Sequence, residues 1–335
     1  MTTGVLPETR TSAPPAPGAG RTRWLRVGRT LGIGVLTMFL VSVLVFFATQ
    51  ALPGDIAQII LGRDATPESL ATLRAQLGLD RPVIEQYFTW IAGVLRGDFG
   101  VSLSSGQPVT TYLGGRILNS ATLVVFTMVI SLPLSIVAGV FAARHKDGWF
   151  DKALLAGSSL VNSLPMFVLG TLLVVLLGTT VFPILPPVSI IPPGDLPWWH
   201  PAELVLPVTT LVLLATTYLA RLVRSTVIDV LDSEYIQMAT LKGLKENRIV
   251  YRHALVNAIG PTLQAAAMTT AVTLGGVVVI EFVFAYPGIG TALTDAISKR
   301  DIPVIQAVVL LIAVVFYLCN LLADVIQSTL GPRSR

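Results

Sequence analysis

Residues 117–143, ILNSATLVVFTMVISLPLSIVAGVFAA, form a run of 27 positions without Asp, Glu, Lys or Arg. A helix needs roughly 20 apolar residues to cross about 30 Å of hydrocarbon, so this run is long enough to span a bilayer. Further uncharged runs occupy residues 30–54, 153–194, 204–220, 253–280 and 302–323. Together they predict six spanning helices, at residues 31–52, 119–143, 153–178, 203–224, 262–284 and 303–327. The predicted fold class is therefore an all-α integral membrane protein.

The composition of the 335-residue chain agrees with insertion into a membrane. Charged residues make up 13% of the chain and hydrophobic residues 53%, whereas about a quarter of an ordinary soluble domain is charged. Too little polar surface remains to solvate a disordered or nucleic-acid-binding protein, so we expect no nucleic acid partner. The single cysteine, Cys319, excludes a disulfide framework and a cysteine-based zinc site.

The predicted spans divide the chain into parts with different compositions. Residues 1–30 are predicted to be a disordered basic arm, and residues 31–52 the first spanning helix. Residues 53–116 are predicted to be an extracytoplasmic helical segment, and residues 117–330 a core of five helices. Of the 23 Lys and Arg residues, 16 lie on the side of the N-terminal arm. Since cytoplasmic loops carry an excess of positive charge, both termini are predicted to be cytoplasmic.

The extracytoplasmic segment contains signals for two short helices. Thr66 is a plausible N-cap before Pro67, and Gly78 is a residue type that ends helices cheaply. Pro82 then starts a second helix, with aromatic side chains available for the bilayer interface. We expect a small helical cap, too small to be a catalytic domain.

The connection at residues 225–260 is polar, basic and long for a loop between bundle helices. A short helix is predicted from Glu234 to Lys242, and Gly243 is predicted to end it before a second helix. A nine-residue helix buries too little surface to fold alone, so something must hold it. A soluble partner and the chain's own bundle are both possible from the residues alone.

The sequence of this connection resembles a known motif. EYIQMATLKGL at residues 234–244, followed by RHALVNA at 252–258, is similar to the EAA loop of bacterial ABC importer permeases, and more narrowly to that of the dipeptide/oligopeptide/nickel permease family. The chain also resembles this family in LPGD at 52–55, LGLDRP at 77–82, GDFGVS at 97–102, EFVFAYPGIG at 281–290 and RDIP at 300–303. The extracytoplasmic segment is similar to that of the first permease in such systems.

The resemblance implies a permease subunit that imports short peptides across the bacterial inner membrane, while nickel, glutathione and other solutes stay open. It implies four kinds of contact: a second homologous permease, two ATP-binding subunits, an extracytoplasmic substrate-binding protein and membrane lipid. ATP and Mg²⁺ would bind the ATP-binding subunits, and the chain itself would need no cofactor and would not be an enzyme.

The resemblance also assigns the contact with the ATPase to the EAA-like loop. Its implied coupling residues are Glu234, Tyr235, Gln237, Met238, Ala239, Thr240, Lys242, Gly243, Arg252 and His253. Two positions depart from the family pattern, because Gln237 stands where the family has its glutamate and Lys245 where it often has serine. These changes could tune which ATPase docks.

Alternative functions lack the residues that they need. The sequence contains no phosphate-binding loop of the Gly-x-x-x-x-Gly-Lys-Ser/Thr type and no nucleophile–base motif of a hydrolase. His145, His200 and His253 are too far apart in the predicted topology to form a metal site. An ATP-independent secondary transporter would need inverted repeats and mid-span acidic groups, and neither is evident.

Polar residues inside the predicted spans are candidates for the translocation pathway, because burying them in lipid is costly. The chosen candidates are Asn119, Asn162, Ser163, Thr270 and Glu281. Hydrogen bonding between helices is the alternative role for the first four. For Glu281, near a helix end, the alternatives are an ion pair with an arginine, contact with the substrate carrier, or a simple location at the membrane interface. Asn162 is the strongest candidate, since Pro165 frees a backbone carbonyl near it.

Overall fold

The structure is a computed structural model that describes residues 19–51, 58, 61, 65–78, 80–242 and 255–330. Its helices, in chain order, are α1 (Ala19–Gln50), α2 (Pro67–Leu77), α3 (Val83–Leu95), α4 (Val109–Arg144), α5 (Trp149–Ser163), α6 (Met166–Leu173), α7 (Pro201–Leu231), α8 (Glu234–Leu241), α9 (Leu255–Val283), α10 (Ile289–Lys299) and α11 (Ile302–Leu330). A π-helical stretch at Val174–Thr179 continues α6, and a 3-10 turn at Pro197–Trp199 precedes α7. The predicted class of an all-α membrane protein is confirmed.

Within the described part of the chain, five helices are long and apolar enough to cross a membrane, over Gly32–Gln50, Val109–Arg144, Pro201–Leu231, Ala258–Val283 and Ile302–Val325. The third predicted span is different, because α5 and the following α6 segment meet at an angle of 103°. Leu164 is extended there, and Pro165 has no N–H to continue the helix. The prediction of one continuous helix over residues 153–178 is therefore wrong, although the bent pair can still make the sixth crossing.

Several helices extend beyond the uncharged runs that predicted them. Helix α1 begins at Ala19, so the predicted disorder of residues 1–30 is wrong from that residue onward. Helix α4 begins at Val109, inside the predicted extracytoplasmic segment. Helix α7 continues to Leu231 and α9 begins at Leu255, which limits the predicted loop 225–260 to residues 232–254. A run without charged residues indicates only the part of a helix that lies in the hydrocarbon core. The helix itself can continue into the polar boundary of the bilayer, where charged side chains are tolerated.

The long pair α4 and α7 forms the centre of the bundle. Gly139 of α4 lies so close to α7 that a Cβ there would collide with the carbonyl of Ala220 and the side chain of Val223. Such small residues let two backbones approach closely, as is usual where helices pack in membranes. The end of the bundle with Gln50 and Val109 is called the outer end here, and the end with Arg144 and Leu231 the inner end.

The short helices at the outer end follow local sequence signals. Thr66 and Ser69 bond each other's backbone N–H groups at the start of α2, and Gly78 ends it with φ of 65°. Helix α3 begins directly after Pro82, so the predicted starts of both helices are confirmed. Helix α10 was not predicted, and it packs with the outer ends of α4 and α11 in one apolar cluster.

Candidate transport and coupling sites

A short helix at the inner end, α8, follows α7 almost directly. Ile236 is buried against Val230 and Leu231, the last residues of α7, and its N–H donates to the carbonyl of Ser233 at 3.0 Å. On other sides of α8, Met238 and Leu241 are exposed despite being large and apolar. The chain's own bundle therefore holds α8 through Ile236, and it leaves an apolar surface available to another protein.

The described residues cover part of the predicted coupling set. Glu234 and Lys242 are exposed at the two ends of α8. The backbone places Tyr235, Gln237, Ala239 and Thr240 in the helix, and the structure does not describe the surroundings of their side chains. Gly243, Arg252, His253 and the predicted second helix lie outside the described residues.

A buried ion pair joins α5 to α7 on the inner side of the bundle. Asp151, in the first turn of α5, accepts two bonds from the Arg224 guanidinium, one from Nε and one from Nη2 at 2.6 Å. The N–H of Asp147 donates to the same carboxylate at 2.9 Å. A two-bonded Arg–carboxylate pair fixes orientation as well as distance. Sequence reasoning missed this pair because nothing local links residues so far apart in the chain.

A cavity of about 540 Å³ opens where α5 and α6 break apart. Helices α7 and α9 form its other walls, and its lining consists of Asn162, Leu164, Pro165, Met166, Leu211, Leu214, Ala215, Tyr218, Met268, Thr269, Val272, Thr273 and Gly276. This lining contains no Asp, Glu, Lys or Arg within the part of the chain that the structure describes. Its size lies within the range of about 300–1,000 Å³ found for small-molecule sites.

Only one of the five predicted pathway residues lines this cavity. Asn162 does so, and its amide also donates to the Ser158 carbonyl at 2.8 Å. Ser163 and Thr270 donate to carbonyls of their own helices, those of Leu160 and Ala266, and do not line it. A different threonine of α9, Thr269, lines the cavity with a buried hydroxyl that has no hydrogen-bond partner among the residues that the structure describes. Its spacing of four residues from Thr273 was the available signal, because that spacing puts both on one helix face.

Glu281 and Asn119 hold together a buried turn at the outer end. The Glu281 carboxylate accepts bonds from the Ser120 hydroxyl and from the Gly290 N–H, the latter at 2.6 Å. The Asn119 amide donates to the Pro287 carbonyl at 2.8 Å. Glu281 is fully buried and neither residue lines the cavity. These contacts hold the turn against α4, and the pathway role of Glu281 and Asn119 stays a prediction.

The turn after α9 also explains why glycine occupies two positions of the EFVFAYPGIG stretch. A Cβ on Gly288 would collide with the Glu281 carboxylate, and one on Gly290 would collide with that carboxylate and the Val278 backbone. The turn therefore closes over Glu281 with no room for a side chain at either position. Among the residues that the structure describes, no cluster of three or more His, Cys, Asp or Glu could hold a metal ion.

Comparison with known proteins agrees with this architecture. The family described as "Binding-protein-dependent transport system inner membrane component" matches residues 135–335, and its N-terminal counterpart matches residues 23–138. The "Probable peptide ABC transporter permease protein y4tP" of Sinorhizobium fredii is 36% identical over 309 residues, which cover 92% of this chain and 98% of the relative. The "Glutathione transport system permease protein GsiC" of Escherichia coli K12 is 36% identical over 313 residues, with the same two coverages. The chain therefore belongs to the family of inner membrane permease components of binding-protein-dependent ABC transport systems.

Proposed function

We propose that this permease subunit imports short peptides or peptide-like solutes through the cavity at the break between α5 and α6. The supporting observation is the cavity itself, which lies within the spanning bundle and has an uncharged wall. Such a wall carries no fixed charge that would repel a solute side chain of either sign, which suits a carrier of varied peptides. The named functions of the two relatives, transport of peptides and of glutathione, support the same class of solute.

The proposed assembly contains a second homologous permease, two ATP-binding subunits and an extracytoplasmic substrate-binding protein. ATP and Mg²⁺ would bind to the ATP-binding subunits, and this chain would serve as the passage rather than as an enzyme. Both termini are proposed to be cytoplasmic, with the inner end of the bundle facing the ATP-binding subunits. Six crossings by α1, α4, the bent α5–α6 pair, α7, α9 and α11 are consistent with this orientation.

Coupling is proposed to run through α8 and α7. The exposed Met238 and Leu241 would dock in a groove of the ATPase, and Ile236 would transmit the movement to the end of α7. Helix α7 is continuous from the cavity residue Tyr218 to Leu231. These 13 residues cover about 20 Å, so a shift at the inner end can reach the cavity wall without a flexible joint.

The Asp151–Arg224 pair would carry the same movement to the broken span. Arg224 lies on α7 between the cavity and α8, and Asp151 lies at the start of the α5 helix that ends at the break. Movement of α7 would therefore pull on α5 through two hydrogen bonds rather than slide past it. The proposed result is a change in the cavity each time the ATPase closes.

Reconstitution tests this proposal. The chain, co-purified with its associated subunits, would be placed in liposomes and supplied with ATP and the binding protein, and uptake of labelled di- to pentapeptides, glutathione and nickel would be compared. We expect uptake of peptides or glutathione that requires ATP and the binding protein. Uptake by this chain alone without ATP would contradict the proposal and favour a secondary transporter, and uptake of nickel alone would contradict the proposed solute class.

A further inference from the structure

Helix α3 lies against the outer half of α1 at the depth of the membrane. The Gln50 amide, at the last residue of α1, donates to the Gln86 side chain at 3.0 Å. The Tyr87 hydroxyl lies 2.9 Å from the Ser42 hydroxyl. Ser42 precedes Gln50 by eight residues, or about 12 Å along the helix axis. Since α1 spans the membrane over Gly32–Gln50, the Tyr87 side chain reaches well below the outer end of that span.

The chain before and after α3 is held at the outer ends of two spanning helices, an arrangement that favours a helix running along the membrane. Its beginning is level with Gln50 through Gln86. Nine residues after its last residue, Leu95, the Ser104 hydroxyl donates to Asp301, just before α11, at 2.8 Å. The outer ends of α1 and α11 lie within about one helical turn of each other, because the Gln306 amide donates to the Thr49 hydroxyl at 2.8 Å.

The side chains of α3 divide into three faces. Gln86, Tyr87 and Trp90 face α1, where the rings of Tyr87 and Trp90 lie 5.4 and 5.5 Å from that of Phe46. Ile84, Phe88 and Leu95 are 66%, 62% and 82% exposed and, with Ile91, form one stripe at helical spacing. Glu85 and Thr89 are exposed on the remaining face.

Helix α1 also exposes large apolar side chains, as the stripe on α3 does. Leu40, Leu44 and Phe47 of α1 are also exposed, within a span that crosses the membrane. Residues 86–95 carry no charge, whereas Arg81 and Arg96 stand outside the two ends of α3. Arginines at such positions can extend to lipid phosphates while the apolar face enters the acyl chains.

We propose that α3 is an in-plane membrane helix whose stripe of Ile84, Phe88, Ile91 and Leu95 is seated in the acyl chains of the adjacent bilayer leaflet. Glu85 and Thr89 then face the aqueous phase, and α1 lies at the side. Helix α3 anchors the outer segment of the chain to lipid, so that segment is not a free aqueous cap.

Spin labelling of the assembled transporter in liposomes of phosphatidylethanolamine and phosphatidylglycerol tests the proposal. In a Cys319→Ala background, single cysteines would replace Ile84, Phe88 or Leu95 on the stripe. Glu85→Cys and Thr89→Cys are the matched controls, each next to a stripe residue in sequence and on the other exposed face. Each nitroxide would be probed for collisions with oxygen, which concentrates in hydrocarbon, and with a water-soluble nickel chelate.

We expect the ratio of oxygen to nickel collisions to be several-fold higher at the three stripe positions than at the two controls. A high nickel collision rate on the stripe would place α3 in water and overturn the proposal. Low collision rates with both reagents on the stripe would mean that a protein covers it, such as the second permease or the binding protein, and would overturn it as well. The three stripe positions are independent, so misfolding of one variant leaves the other two decisive.

Discussion

Asp151 and Arg224 lie 73 residues apart in the chain and form a buried, two-bonded ion pair between α5 and α7. The Asp151 side chain is 1% exposed and that of Arg224 is 17% exposed. The pair joins α5, which ends at the break in the third span, to α7, which leads directly into α8. Substitution of either residue therefore tests the proposed transmission of movement from α7 to the cavity.

Replacing one member of this pair leaves the other buried and unpaired. We expect Arg224→Ala to lower the stability of the assembled protein by about 3–5 kcal/mol, since an uncompensated buried carboxylate remains. Thermal unfolding of the purified complex and peptide uptake would measure the effect. Arg221→Ala is the control, because Arg221 is exposed one turn earlier on the same helix. Equal effects of the two substitutions would show that the ion pair contributes nothing beyond its charge.

If the exposed apolar surface of α8 contacts the ATPase, a charged side chain on that surface should weaken the contact. We expect Leu241→Asp to reduce uptake at least tenfold and to weaken co-purification of the ATPase, because a charge in an apolar contact loses its hydration. Leu241→Met is the matched control, since methionine keeps the apolar surface and a similar volume. Because Leu241 is 82% exposed, neither change should alter the folding of the isolated chain. Normal uptake by Leu241→Asp would place the docking surface elsewhere.

Substitutions of two neighbouring threonines of α9 can distinguish a residue that contacts the solute from one that bonds only its own helix. Thr269→Val removes an unpartnered hydroxyl from the cavity wall, so we expect a several-fold change in the KM for peptide uptake without loss of stability. Thr270→Val removes a hydroxyl that bonds only its own helix, and we expect uptake close to that of the unaltered protein. Uptake kinetics across a series of peptide concentrations would measure both. A larger effect from Thr270→Val would contradict the assignment of the cavity wall.

Asp301, between α10 and α11, predicts a dependence of stability on pH. Burial opposes ionisation of its carboxyl group, but hydrogen bonds from Ser102, Leu103 and Ser104 outweigh burial and hold its pKa below the usual value. A pKa that is lower in the folded state contributes stability above the unfolded pKa, and that contribution is lost as pH falls through the folded value. We therefore expect Asp301→Asn to lower the thermal midpoint at pH 6, and the difference from the unaltered protein to shrink below about pH 4. A constant difference between pH 6 and pH 3 would contradict this.

Local chemistry explains why some features were predictable. The start of α2 at Pro67, its stop at Gly78 and the start of α3 after Pro82 follow from residues within one turn of each boundary. The short helix α8 was predictable for the same reason, since it begins after Asp232 and Ser233. The length of uncharged runs likewise predicted the five long apolar helices, because hydrocarbon thickness sets that length.

The residues of the cavity wall were less predictable, because polarity within a span does not say which neighbour a side chain meets. Glu281 and Thr269 are both buried polar groups of α9. Glu281 is engaged by Ser120 and Gly290 from two other helices, whereas Thr269 has no hydrogen-bond partner and lines the cavity. Only the arrangement of α4 and α10 around α9 separates these two roles.

The order of residues determines the membrane class, the long apolar helices, the caps of the outer helices and the resemblance to importer permeases. Each of these depends on neighbours in the chain or on total apolar length. The 103° break, the Asp151–Arg224 pair, the wall of the cavity and the three faces of α3 depend on contacts between residues far apart in sequence. Such contacts form only when helices pack, since packing decides which polar groups find partners and which face a cavity or the lipid.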